Sequence, residues 1–85
     1  MTVGVQFTGT IPAGATQRWF TFNWPQAWHV EWNVVPTSPR PGSPQIEWDV
    51  EVERASAANI TYWITIRNLT TRAVNIEGRY AIMNI

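Results

Sequence analysis

The chain has 85 residues, 14% of them charged, with six cationic and six acidic side chains that cancel, six tryptophans and no cysteine. This length holds one compact domain at most, and a 45% apolar fraction places it on the folded side of the disorder boundary. All six cations are arginine (Arg18, Arg40, Arg54, Arg67, Arg72, Arg79) and there is no basic excess, so no nucleic-acid or anionic-membrane partner is expected; without cysteine there is neither a disulfide framework nor a thiolate metal site.

No run approaches the ~20 apolar residues of a membrane-spanning helix, and no basic segment precedes an apolar one at the N-terminus. The dominant hydrophobic period is two, which predicts strands. The first, residues 2–8, puts Val3, Val5 and Phe7 on one face, and residues 9–14 turn, with Pro12 presetting φ and Gly14 free to take a positive φ. Residues 17–24 follow, with Phe20 and Phe22 inward and Trp19, Thr21 and Asn23 outward. Residues 28–35 alternate Val30, Trp32 and Val34 against His29, Glu31 and Asn33, and stop at Pro36.

Residues 36–44 are proline-rich and satisfy PxxP twice, the spacing of a polyproline II ligand. The reading preferred here is a stiff loop crossing from one sheet to the other. Residues 45–53 place Ile46, Trp48, Val50 and Val52 on one face and Glu47, Asp49, Glu51 and Glu53 on the other. Residues 59–67 put Ile60, Tyr62, Ile64 and Ile66 inward and Thr61, Trp63, Thr65 and Arg67 outward. Residues 73–83 close the chain with Val74, Ile76, Gly78, Tyr80 and Ile82 inward. Asn59 and Asn68, each within an Asn-x-Thr sequon, read as turn residues.

Six strands with one apolar face each predict an all-β fold: a small antiparallel sandwich of two layers, jelly-roll-like, in a single domain spanning 1–85. If 54–58 and 68–72 are hairpin loops, parity sets Glu47 beside Arg67, Asp49 beside Thr65 and Glu51 beside Trp63. It then sets Arg67 beside Asn75, Thr65 beside Glu77, Trp63 beside Arg79, and Gly78 where it gives Ile64 room. A loop that crosses between sheets would break its half of this registration.

Catalysis is not expected. One histidine and one aspartate, with Ser38, Ser43 and Ser56 all in loops, make no nucleophile–base arrangement. The acids of the fourth strand could resemble a glycosidase pair or a hard-cation site, but a regular strand lacks the loop carbonyls of a calcium cage, and a salt-bridged face accounts for them. Neither metal nor cofactor is called for. In Trp24-Pro25-Gln26-Ala27-Trp28-His29, the indoles of Trp24 and Trp28 could form a wall for a sugar's apolar face, with Gln26 and His29 hydrogen-bonding; structurally, the same indoles would close one end of the sandwich. The outward indoles Trp19 and Trp63, flanked by Glu51, Arg67 and Arg79, are candidates for a contact between copies of the chain. A domain this size hides only about 60–65% of its unfolded surface, and self-association is a common remedy.

The run from Gln45 to Asn84, with Ile60-Thr61-Tyr62-Trp63-Ile64-Thr65-Ile66 at its centre and Tyr80-Ala81-Ile82 near its end, resembles the last three strands of the H-type lectin domain. The resemblance implies a six-stranded sandwich assembling as a trimer or hexamer, with glycan bound at protomer junctions. Where that family carries a Trp-His pair between its last two strands, this sequence has Asn68-Leu69, so no sugar-binding residue transfers. The expected function is therefore a non-enzymatic, self-assembling, carbohydrate-binding module, the alternative being a structural assembly or protein-recognition domain without a small ligand.

Overall fold

The computed structural model describes all 85 residues, Met1–Ile85. Six strands, β1 (Thr2–Ile11), β2 (Thr16–Pro25), β3 (Val30–Pro36), β4 (Ile46–Arg54), β5 (Asn59–Asn68) and β6 (Val74–Ile82), pair antiparallel, and there is no helix. They form two three-stranded sheets, β1-β6-β3 and β2-β5-β4, with β6 and β5 at their centres. Their limits lie within two residues of the period-two reading except at the end of β1. That strand runs through Gly9 and Thr10 to Ile11 because both continue the ladder with β6.

The core between the sheets is graded. Ile11, Ile66, Val74 and Ile76 fill the end where Ile11 faces Val74, and Ile64 lies midway. Trp24, Trp32 and Tyr62 fill the other end and meet edge to face, with ring centroids 5.6 Å apart for Trp24–Trp32 and 5.7 Å for Trp32–Tyr62. The indole N–H of Trp32 is buried among these side chains without a hydrogen-bond acceptor.

Half of the expected registration holds. β4 and β5 pair Glu47 with Arg67, Asp49 with Thr65, Glu51 with Trp63 and Val52 with Tyr62. The second half fails, because residues 69–73 cross to the other sheet, where β6 lies between β1 and β3. The crossing is held by Asn68, which is buried and far from being an ordinary turn residue. Its amide nitrogen donates to the carbonyls of Ile11, Pro12 and Arg72, and its oxygen accepts from the N–H and hydroxyl of Thr70. The proline-rich segment crosses in the opposite direction, from β3 to β4, tied down where Arg40 donates to the Thr70 hydroxyl and the Ala73 carbonyl.

Two strands turn their faces differently from the alternation. In β1 the register shifts between Val5 and Phe7, so Phe7 packs on the core while Val3 and Val5 face outward. In β2 the assignment reverses from Trp19 to Phe22: Trp19 and Thr21 face the core and Phe20 and Phe22 face outward, while Asn23 is exposed as expected. A second irregularity, at Phe22 and Asn23 with Asn23 at φ 64°, returns Trp24 to the core. Trp19 wins the interior because it lies flat on Phe7, ring centroids 5.3 Å apart, in the space that Gly9 leaves open. Thr21 is held there as the acceptor of the Trp24 indole N–H, at 2.9 Å. Gly78, too, makes room for a ring other than the one expected: the residue over it is Phe7, its partner across the β1–β6 ladder, and not Ile64.

Candidate functional site

The outer face of β2-β5-β4 gathers most of the chemistry the sequence holds. Cross-strand rows place Phe20, Trp63 and Glu51 side by side, then Arg18, Thr65 and Asp49, then Thr16, Arg67 and Glu47. β2 thus supplies an aromatic edge, β4 an acidic edge, and Trp63 the centre. Phe20 touches both Trp63 and Phe22, at centroid separations of 5.1 and 5.9 Å.

The charges are arranged around this indole. Arg18 lies over the Trp63 ring, 4.5 Å from its centroid, and donates to Glu51 at 2.9 Å, so one guanidinium serves both a cation–π contact and an ion pair. The Trp63 indole N–H donates to Glu53 at 2.8 Å. Glu47 pairs with Arg67. Three of the four acids on this strand are thereby engaged with β2 and β5, and only Asp49 has no such partner. These pairs are exposed and contribute little stability each; they fix the direction of the side chains.

The expected contact residues divide. Glu51, Trp63 and Arg67 stand together on this face. Trp19 does not, being half-buried against the core on the inner face, and Arg79 lies on the outer face of the other sheet, where it pairs with Glu77 at 3.0 Å. The place expected for Arg79 beside Trp63 is taken by Arg18. Phe20, Phe22 and Arg18 escaped the alternation argument because β2 is aromatic on both faces, at Trp19 and at Phe20 and Phe22, and parity alone does not choose between them.

The candidate sugar platform is also rearranged. Trp24 is buried and its N–H committed to Thr21, so it closes the core. Trp28 is half-buried against Trp24, with centroids 6.2 Å apart, while Gln26 and His29 are exposed beside it. The turn itself is anchored by its backbone: the His29 N–H donates to the Asn84 side chain, and the His29 carbonyl accepts from Met83. No three of the histidine and acidic side chains are grouped to hold a metal ion.

The opposite face, on β1-β6-β3, is aliphatic and concave: Val3, Val5 and Ala81 line a shallow groove with Glu31, Asn33 and Arg79 along it. Beneath that sheet, burial and, to a lesser extent, the negative charge of Glu31 push the Tyr62 hydroxyl above its ordinary pKa. Fold and surface together define a small all-β sandwich whose β2-β5-β4 outer face carries Phe20, Phe22 and one tryptophan, Trp63. No protein-family model, curated protein or solved structure matches the chain.

Proposed function

We propose that this protein is a non-catalytic, self-assembling β-sandwich binding module whose copies meet through the outer face of β2-β5-β4. One observation carries the reading: Phe20 and Phe22, neighbouring rings on the outer face, are 57% and 60% exposed, while smaller apolar residues of the same chain are fully buried. Two phenylalanines in water forgo much of the benefit of burying an aromatic side chain. The charges around them favour a second copy as the covering partner. Arg18–Glu51 and Arg67–Glu47 are already paired, so neither arginine would lose water without keeping its counter-charge, and the two acids without one, Asp49 and Glu53, stand on the edge strand β4. Arginine and aromatic residues with no lysine are the composition of interface centres. A standard interface takes about 800 Å2 from each partner, roughly one-seventh of the 5291 Å2 that this chain exposes.

Molecular mass by light scattering tests the proposal. The wild-type chain is expected to be an oligomer, Phe20→Ser with Phe22→Ser a monomer that keeps its β-type circular dichroism, and Val5→Ser, on the opposite face, an unchanged oligomer. A monomeric wild type, or an oligomer indifferent to the double substitution, overturns it.

Carbohydrate binding is the second reading, favoured by the half-buried Trp28 between exposed Gln26 and His29. Assembly would then multiply weak identical sites into avidity. Glycan-array binding that Trp28→Ala abolishes supports it; a stable oligomer silent on a broad array leaves assembly as the function.

A further inference from the structure

Each end of the sandwich gathers loops, and the end formed by residues 12–15, 37–45 and 69–73 has an unbalanced charge. Every acid of the chain lies on a strand: Glu31 on β3, Glu47, Asp49, Glu51 and Glu53 on β4, Glu77 on β6. Two of the six arginines, Arg40 and Arg72, lie in the loops of this end, where there is no carboxylate side chain. Between the proline-rich loop and the 69–73 crossing lies an open cleft of about 450 Å3, lined by Arg40, Ser43, Gln45, Thr70, Thr71 and Arg72 among others, with no acidic residue in its wall.

The two guanidiniums are held differently. Arg40 is half-buried and immobilised by Thr70 Oγ1 and the Ala73 carbonyl, both at 3.1 Å, which leaves some of its five N–H donors unused. The Arg72 guanidinium is exposed and makes neither ion pair nor hydrogen bond, unlike those of Arg18, Arg67 and Arg79. The backbone N–H groups of Ser43 and Thr71 also donate to nothing in the protein, nor do the hydroxyls of these two residues. The loop carrying Thr71 and Arg72 is rigid, because Asn68 and Thr70 bind each other and the Arg72 backbone at 2.7–3.3 Å. Unused N–H and O–H donors, one anchored and one free guanidinium and no competing carboxylate form a favourable environment for an anion with several acceptor oxygens.

We propose that this cleft binds a tetrahedral oxyanion, sulfate or phosphate, either as the free ion or as the charged group of a larger ligand such as a sulfated sugar. The residues lining the cleft are not among those named for the assembly face, and the proposal does not depend on assembly. It is also compatible with the zero net charge of the chain: two arginines recognise one anionic group, where nucleic acid would need an extended basic surface.

Amide chemical shifts of the whole chain, followed while sodium sulfate or phosphate is titrated at constant ionic strength set by chloride, test the assignment. Saturable shifts are expected at Ser43, Thr70, Thr71 and Arg72, and Arg72→Gln should weaken binding at least tenfold while leaving the remaining shifts and the melting temperature unchanged. Arg40→Gln is expected to weaken it too, though its anchoring role makes Arg72→Gln the decisive variant. Shifts that never saturate, or Arg72→Gln binding as tightly as wild type, overturn the proposal. A sulfated oligosaccharide that binds more tightly than free sulfate, with its unsulfated counterpart inert, identifies the larger ligand; equal affinities identify the free ion, and either result upholds the site.

Discussion

Three strand glycines each make room for an aromatic ring. A Cβ at Gly4 would lie 2.6 Å from the Tyr80 hydroxyl oxygen, one at Gly9 2.6 Å from Trp19 Cζ2, and one at Gly78 would overlap the edge carbons of the Phe7 ring. Glycine weakens a strand in general, but here each absence of a side chain is filled by the ring of a neighbouring strand or sheet. Gly78→Val should therefore displace Phe7 and cost about 1–3 kcal/mol by overpacking, read as a lower denaturant midpoint; an unchanged midpoint would mean that the ring moves aside freely. Tyr62 gives a pH signature. Its raised hydroxyl pKa means the folded chain keeps a proton that the unfolded chain releases near pH 10. Stability is fully present below pH 10 and falls as pH rises past it, and Tyr62→Phe should flatten that fall in denaturation curves taken from pH 9 to 11.5.

Among the elements, β2 is the most informative, since its faces are the reverse of those that the phenylalanines suggest. Alternation specifies which residues share a face; it does not say which face is dry when both carry aromatics. Phe20 and Phe22 lie outward because Trp19 has a flat partner in Phe7 and an open site at Gly9, both on a strand of the opposite sheet. Trp19→Ala should cost about 3–5 kcal/mol, whereas Phe22→Ser, under conditions where the chain is monomeric, should stay within about 0.5 kcal/mol. Equal losses in thermal or chemical unfolding would refute the facing of β2. In β1 the register shift was equally invisible, since a bulge adds a residue without changing composition, and Val3 and Val5 keep the look of core residues while lying outside.

Across the whole molecule, the two layers are joined by connections that cross between sheets, and their placement decided what became the candidate site. Trp63 meets Arg18 and not Arg79 because the chain leaves the sheet after Asn68 and β2 takes the open edge of β5. The two outer faces consequently differ, one an aromatic and charged ridge, the other an aliphatic groove. The Arg40–Arg72 cleft has the same origin, since it exists only where both crossings meet at one end. Strand number, strand limits and the β4–β5 register were legible from period-two patterning and a five-residue loop, because both are local. The acidic stripe was legible for the same reason. What sequence by itself determined is that this chain forms six amphipathic strands with more large apolar side chains than one small core can hide. Only the tertiary structure decided which of them are left outside, because that choice turns on the fit of Trp19 over Gly9 in the facing sheet and on the register shift of β1 against β6, both matters of shape between residues far apart in the chain.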